Sequence, residues 1–313
     1  MLRRFRAVVD AAYAVNPMGV RILGQVVGIP PERVFYVPTG VAIPEPGRQV
    51  SGTRTELRLG YMGRLTQHKR VMDLVPLCAA LTRREVPFSL RIFGEGPLEK
   101  ELRLALREYG DRCRFEGAVS NEAIREQVMP ELDACLLLTE NEGTPNTALE
   151  AMAAGVVVVT SDFPGREELR LLRSHDTALV FPVGAVETAA GLLTHLASHP
   201  DEQRRLAANA LDSVKRQHSV AGMGEEFAKV LSFACQGPPM AGHVSLPTIV
   251  PPGRLTRAFG PVTAETIRRS LGRRFPHPDA SEWPATEGIT PEETREIVDG
   301  LQSLIGLRVD EAQ

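Results

Sequence analysis

A doubly wound α/β fold, with a parallel sheet covered by helices on both faces, is predicted for the middle of this chain. Two observations predict it. Short apolar runs alternate with amphipathic stretches from residue 57 onward, and two of the runs carry no polar alternation. Alternation of this kind calls for βα units. An uninterrupted apolar run calls for a strand buried on both sides.

The strand-like runs are 57–62, 88–93, 112–115, 133–139 and 156–160. Within them, Ala134-Cys135-Leu136-Leu137-Leu138 and Val156-Val157-Val158-Val159 are the two without alternation. Helical periodicity occupies 70–85, 97–109, 121–129 and 144–154. Past Val180 the pattern turns helical, from 185 to about 235, with a break at His199-Pro200. Asp201 is placed to cap the helix after that break. Ahead of the first strand stand an apolar run (7–15), a helical pattern (18–27) and a second run (33–37), and Pro44 and Pro46 mark a connector. That leading segment is too small to bury a core alone, so it should present an apolar surface at 7–27 that invites self-association or partner docking. Residues 237–252 are rich in Pro and Gly and read as a linker to a small tail with helices at 263–274 and 291–307. The chain thus divides into 1–50, 51–236 and 237–313, and the last part suggests no function.

The 313 residues are 43% hydrophobic and 24% charged, close to the average for a globular protein. A net charge of −3 and a pI near 6.2 give the whole chain no reason to bind nucleic acid. The four cysteines (Cys78, Cys113, Cys135, Cys235) form no CxxC and read as reduced thiols, three of them in apolar patterns. No apolar run reaches the roughly 18 residues that span a bilayer, and the basic start, interrupted by Asp10, is a poor signal peptide. The expected compartment is the cytoplasm.

Chemistry concentrates in the loops after the strands, where open parallel sheets bind ligands. In Gly63-Arg64-Leu65-Thr66-Gln67-His68-Lys69, two cations five residues apart suit a diphosphate, Arg as a two-pronged donor and Lys as a mobile point charge. By itself the loop reads equally well as two solvated charges. Gly94-Glu95-Gly96-Pro97 permits a tight turn or a close backbone approach to a ligand. Phe115-Glu116-Gly117 is a weaker loop of the same kind.

The fullest set is Glu140-Asn141-Glu142-Gly143-Thr144-Pro145-Asn146-Thr147-Ala148-Leu149-Glu150. Thr144 reads as the N-cap and Pro145 as the first helical residue, which leaves free N–H groups to hold an anion. Glu142 stands where it can accept from sugar hydroxyls. Glu150 is spaced to accept from a vicinal diol such as ribose. Helix-dipole compensation and a surface carboxylate are the plainer readings of these two.

The ordered series Gly63-Arg64 to Lys69, Gly94-Glu95-Gly96-Pro97, Phe115-x-Gly117, Glu142-Gly143-Thr144-Pro145-Asn146-x-x-Leu149-Glu150-Ala151-Met152-Ala153-x-Gly155 and Gly165-x-x-Glu168 resembles the retaining glycosyltransferases of family four, which have the GT-B fold. The likeness covers about 55–235. It implies that Arg64 and Lys69 hold the donor diphosphate, with Gly63, Gly94 and Glu95 lining the site. Glu142 and the backbone of Gly143, Thr144, Pro145 and Asn146 would hold the sugar and distal phosphate, and Glu150 the ribose. Catalysis falls to Glu142, Arg64 and Lys69. The implied reaction retains anomeric configuration and needs no metal or other cofactor, the nucleotide-diphospho-sugar being a substrate; no Asp-x-Asp pair is present.

The acceptor, whether glycan, lipid or small molecule, is not legible, and a lipid acceptor would bring the protein to a membrane surface. Residues 1–46 resemble only the end of the family's acceptor-binding domain, with Ala14-Val15-Asn16 as a strand end and Pro38-Thr39-Gly40-Val41 as the approach to the linker. Its early Gly-rich loop and catalytic histidine have no counterpart, and the resemblance implies a partner protein that supplies that half. A non-catalytic nucleotide-sugar-binding or interaction module is the alternative. Arg70 stands where the family commonly has Gly. His68 is read as solvated or donor-adjacent, and the histidines at 175, 195, 199, 218, 243 and 277 as surface groups without metal spacing.

Overall fold

A computed structural model describes residues 9–44 and 56–236. The predicted 237–313 linker and tail helices, and most of the connector at 45–55, lie outside the described residues.

Six parallel strands form the main sheet: β3 (Leu57–Met62), β4 (Phe88–Phe93), β5 (Cys113–Gly117), β6 (Ala134–Leu137), β7 (Val157–Ser161) and β8 (Ala178–Phe181). Their order is β5-β4-β3-β6-β7-β8. Succession therefore runs outward from β3 in one direction, returns, and continues from β6 in the other. The point between β3 and β6 is the switch point at which open α/β sheets leave a crevice.

Period two sorts the strand residues onto two cores. Leu57, Leu59, Leu90, Ile92, Ala134, Leu136, Val157 and Val159 face one side, and Cys135, Leu137 and Val158 face the other. The first core is covered by α2 (Leu74–Arg83), whose Leu74, Leu77, Cys78 and Leu81 follow the spacing of one helix face. Helix α3 (Glu99–Ala105) and α6 (Val186–Ser198) join it, with the start of α7 (Pro200–Gln217). The second is covered by the short α4 (Asn121–Ala123) with its continuing wide turn to Val128, by α5 (Asn146–Ala153), and by Ala210 and Val214 of α7. With hydrophobic cover on both faces, the uninterrupted valines of β7 need no polar alternation.

The leading segment makes a separate two-stranded parallel sheet of β1 (Ala12–Ala14) and β2 (Val34–Tyr36), joined through α1 (Pro17–Arg21). The last described helix, α8 (Val220–Gln236), returns to it: Phe227 meets Tyr13 edge-on and Phe233 meets Phe35. Where α7 ends and α8 begins, the Val41 N–H bonds to His218 O, and the Nδ1 of His218 donates to Thr39 O at 2.9 Å.

Four sequence expectations change. Strand β8, four residues long, went unseen because a short apolar run before a helix blends into it. Asp201 does not cap α7, because Pro200, with its preset φ, takes the first helical position and His199 precedes it as N-cap. His218 is buried rather than superficial. A second interruption, at His218-Ser219, divides the long helical stretch into α7 and α8.

Candidate functional site

The loops after β3 and β6 meet at the switch point. The Glu140 N–H donates to His68 O at 3.0 Å, and Thr139 Oγ1 reaches the same carbonyl at 3.4 Å. This carries Lys69 to Glu142, and the two form an ion pair with side chains 21% and 12% exposed. The sequence assigned these groups to phosphate and sugar, and the structure brings them together from 73 positions apart.

The β3 loop is fixed from below. Leu65 is fully buried, its N–H donating to Glu95 O and its carbonyl accepting from Leu98 N–H. The Tyr61 hydroxyl donates to Arg64 O at 3.1 Å. Burial first, and the Glu142 carboxylate next, push that phenol well above its ordinary pKa. Arg64 itself is exposed.

Close approach of backbones explains the glycines of the β4 loop. A Cβ on Gly94, whose φ is +118°, would stand 2.1 Å from Gly63 O. One on Gly96 would stand 2.4 Å from Leu65 O. These residues are first of all what lets two loops touch, while the Glu95 side chain is exposed.

The start of α5 differs from the expectation. Pro145, not Thr144, is the N-cap, in an extended conformation, and Asn146 is the first helical residue. Pro145, with ψ 91°, lies outside the helical region, so the helix begins one residue later than a Thr144 cap would place it. Its hydroxyl instead donates to Val15 O at 3.2 Å. Proline has no N–H, so the leading amides of α5 are those of Asn146 and Thr147, ahead of the first bond from Ala148 N–H to Pro145 O. Gly143 lies beside the Asn16 amide, a neighbour sequence reading missed: a Cβ there would be 3.4 Å from Asn16 Nδ2. Asn16 also caps α1 through Gly19 N–H at 2.6 Å.

Glu150 is half-buried on α5, and burial raises its pKa against the opposing pull of Arg125. Glu168, the last residue of the motif series, accepts from Arg21 Nη2 with both oxygens at 2.6 Å and so ties α1 to the loop after β7. The spacing of the series could not have named Arg21 as its partner.

Among the described residues, no group of three or more His, Cys, Asp or Glu is placed to hold a metal ion. None of the helices there is long and apolar enough to cross a membrane. Cys78, Cys113 and Cys135 are buried free thiols, and Cys235 is exposed.

The same architecture occurs in known proteins. S. aureus TarM, solved with Fondaparinux, alpha-GlcNAc-glycerol and UDP, superposes with a TM-score of 0.62 at 13% identity, over 73% of this chain and 45% of that one. HepE from Anabaena, solved with UDP and glucose, gives 0.59 at 19% identity, over 74% and 67%. At these identities the likeness concerns the fold. In sequence, a GDP-mannose:cellobiosyl-diphosphopolyprenol alpha-mannosyltransferase from Xanthomonas oryzae pv. oryzae is 29% identical over 189 residues, 58% of this chain and 49% of that protein. The chain thus spans about half the length of that relative. Residues 47–212, more than half of the sequence, match one family throughout. The chain belongs to the glycosyl transferases group 1 family.

Proposed function

We propose that residues 51–236 are the donor-binding half of a retaining, metal-independent glycosyltransferase that takes its sugar from a nucleotide-diphospho-sugar. The observation that carries this reading is the meeting of Lys69 and Glu142 at the switch point, beside the first amides of α5. Lys69, Arg64 and those amides hold the diphosphate. Glu142 and the backbone of 143–146 hold the sugar, and Glu150 the ribose. The UDP found with TarM and HepE supports a nucleotide donor.

In the reaction, the bond from the anomeric carbon to the distal phosphate breaks, and a bond to the acceptor oxygen forms on the same face. The acceptor proton passes to the departing phosphate oxygen. Negative charge grows on that phosphate, and the fixed cations and helix amides stabilise it more than they stabilise the ground state. The acceptor is a glycan, a lipid or a small molecule bound by a further unit that joins through the β1, β2 and α8 face. The protein works in the cytoplasm, at the membrane surface where the acceptor is a lipid.

Calorimetric titration with UDP, GDP, ADP and their sugar conjugates tests the donor site. Selective binding of one nucleotide, lost in Arg64→Ala and Glu150→Ala, is expected. A folded chain that binds none of them rules the reading out. The apolar face also favours a second reading, a binding module without transferase activity. Tight donor binding with no turnover, even beside a complete acceptor unit, would select it.

A further inference from the structure

Arg70 occupies the left-handed region, with φ 49° and ψ 36°, which a side chain with a Cβ rarely adopts. It ends the turn Gln67–Lys69, its N–H donating to Gln67 O, and its carbonyl accepts from Asp73 N–H to begin the turn into α2. The reversal of hand here separates the turn that ends at Lys69, whose ammonium meets Glu142 across the switch point, from the turn that leads into α2.

The side chain explains why an arginine is tolerated in a place suited to glycine. Its Nε and Nη2 grip Asp73 at 2.7 and 3.2 Å, and its Nη1 donates to Glu140 at 2.9 Å. The guanidinium also lies near Gly184, in the loop after β8, where an added Cβ would stand 3.0 Å from Nη2. One planar group therefore bridges the segments following β3 and β6 and leaves room beside it only for a glycine in the segment following β8. A lysine has a single ammonium and cannot form this fork.

We infer that Arg70 is a positioning residue that braces the Lys69 loop against the Glu140–Glu142 loop, so that the diphosphate site is held assembled. The brace acts on the site of the proposed function and rests on that reading for its effect on nucleotide binding. The juxtaposition itself does not depend on it.

Two measurements on the full chain separate these levels. In Arg70→Gly, which keeps the left-handed turn and deletes the brace, affinity for the nucleoside diphosphate preferred by the wild type should fall about tenfold, the scale of a lost charged hydrogen bond. Arg70→Lys should fall between, and the melting temperature of Arg70→Gly should move no more than that of the surface control Arg83→Ala. Hydrogen exchange provides the arm without ligand: the Glu140 amide should exchange several-fold faster in Arg70→Gly. Glu140→Gln should do the same, and the double variant should add little, as expected for two halves of one contact. Unchanged Glu140 exchange, or unchanged affinity in Arg70→Gly, overturns the brace. A wild type that binds no nucleotide overturns the proposed function instead, and exchange still decides for or against the brace.

Discussion

At the switch point an ammonium and a carboxylate share a mostly buried contact, and each is assigned to a different part of the same ligand. A diphosphate reaching Lys69 must compete with Glu142 for its charge. Glu142→Gln should therefore bind the bare nucleoside diphosphate more tightly, by about tenfold if the charge competition is worth ~1.4 kcal/mol. It should bind the sugar-bearing form no better than wild type, because it loses acceptors for the sugar hydroxyls. Calorimetry on both ligands checks the divergence, and a parallel change in the two would remove Glu142 from the sugar. Glu150 carries a cost of a different kind. Its folded pKa is raised by burial, so its contribution to stability is fully present below the ordinary carboxyl range and lost as pH rises through the folded value. Glu150→Gln should thus melt higher than wild type at pH 7, with the gain vanishing near pH 4, while its nucleotide affinity drops. Gly94→Ala adds a positive-φ penalty to a backbone clash and should cost about 3 kcal/mol of unfolding free energy. At this scale the sequence displayed Arg64, Lys69, Glu142 and Glu150 as types in a series. It could not display what depends on folding across distance, such as the Asn16 amide beside Gly143 or the fork of Arg70.

Helices and strands were legible where a long periodic pattern stood alone. Strands β3 and β4 fall on the predicted 57–62 and 88–93, since both are six-residue apolar runs bounded by turn residues. Strand β8 and the α7–α8 junction were not legible, because both are local choices enforced by tertiary contacts. At the junction, a Cβ on Gly40 would meet Ser219 O and the Val220 Cα at 2.9 Å, so two chain crossings are pressed together with His218 between them. Burial lowers the pKa of His218, and its bond to Thr39 O pulls weakly the other way. A histidine depressed in the folded state costs stability once pH falls below its unfolded value, near 6.5, because the unfolded chain then binds the extra proton. Lowering the pH from 7.5 to 5.5 should loosen the junction first, seen as faster exchange at the Val41 amide. His218→Gln should lose most of that pH dependence, and an equal acid response in the variant would assign it elsewhere.

At the scale of the molecule, the described residues form two unequal parts, a sheet with hydrophobic cover on both faces and a two-stranded sheet leaning on α8. Of the larger apolar residues left exposed among the described residues, Tyr13, Val15, Tyr36, Val220, Phe227, Leu231 and Phe233 belong to the second part. The expectation of an apolar surface at 7–27 is met at Tyr13 and Val15, and α8 enlarges it, which no reading of the first 27 residues could foresee. Sedimentation velocity should find concentration-dependent association of the isolated chain, weakened by Leu231→Glu. A monodisperse monomer at high concentration would leave the face without this role.

The register of the main sheet also governs how the molecule is made. Strand β3 pairs with β6, and Arg58 bonds to Asp133 across 75 positions of chain. On a ribosome adding roughly 5–20 residues per second, the β3 edge waits about 4–15 seconds for its partner. Through that interval β3, paired on its other side with β4, keeps one apolar edge open to other nascent chains. Its closure assembles the ligand crevice and ends the period of greatest exposure to misassociation, so translation speed between β3 and β6 bears on yield as well as on function.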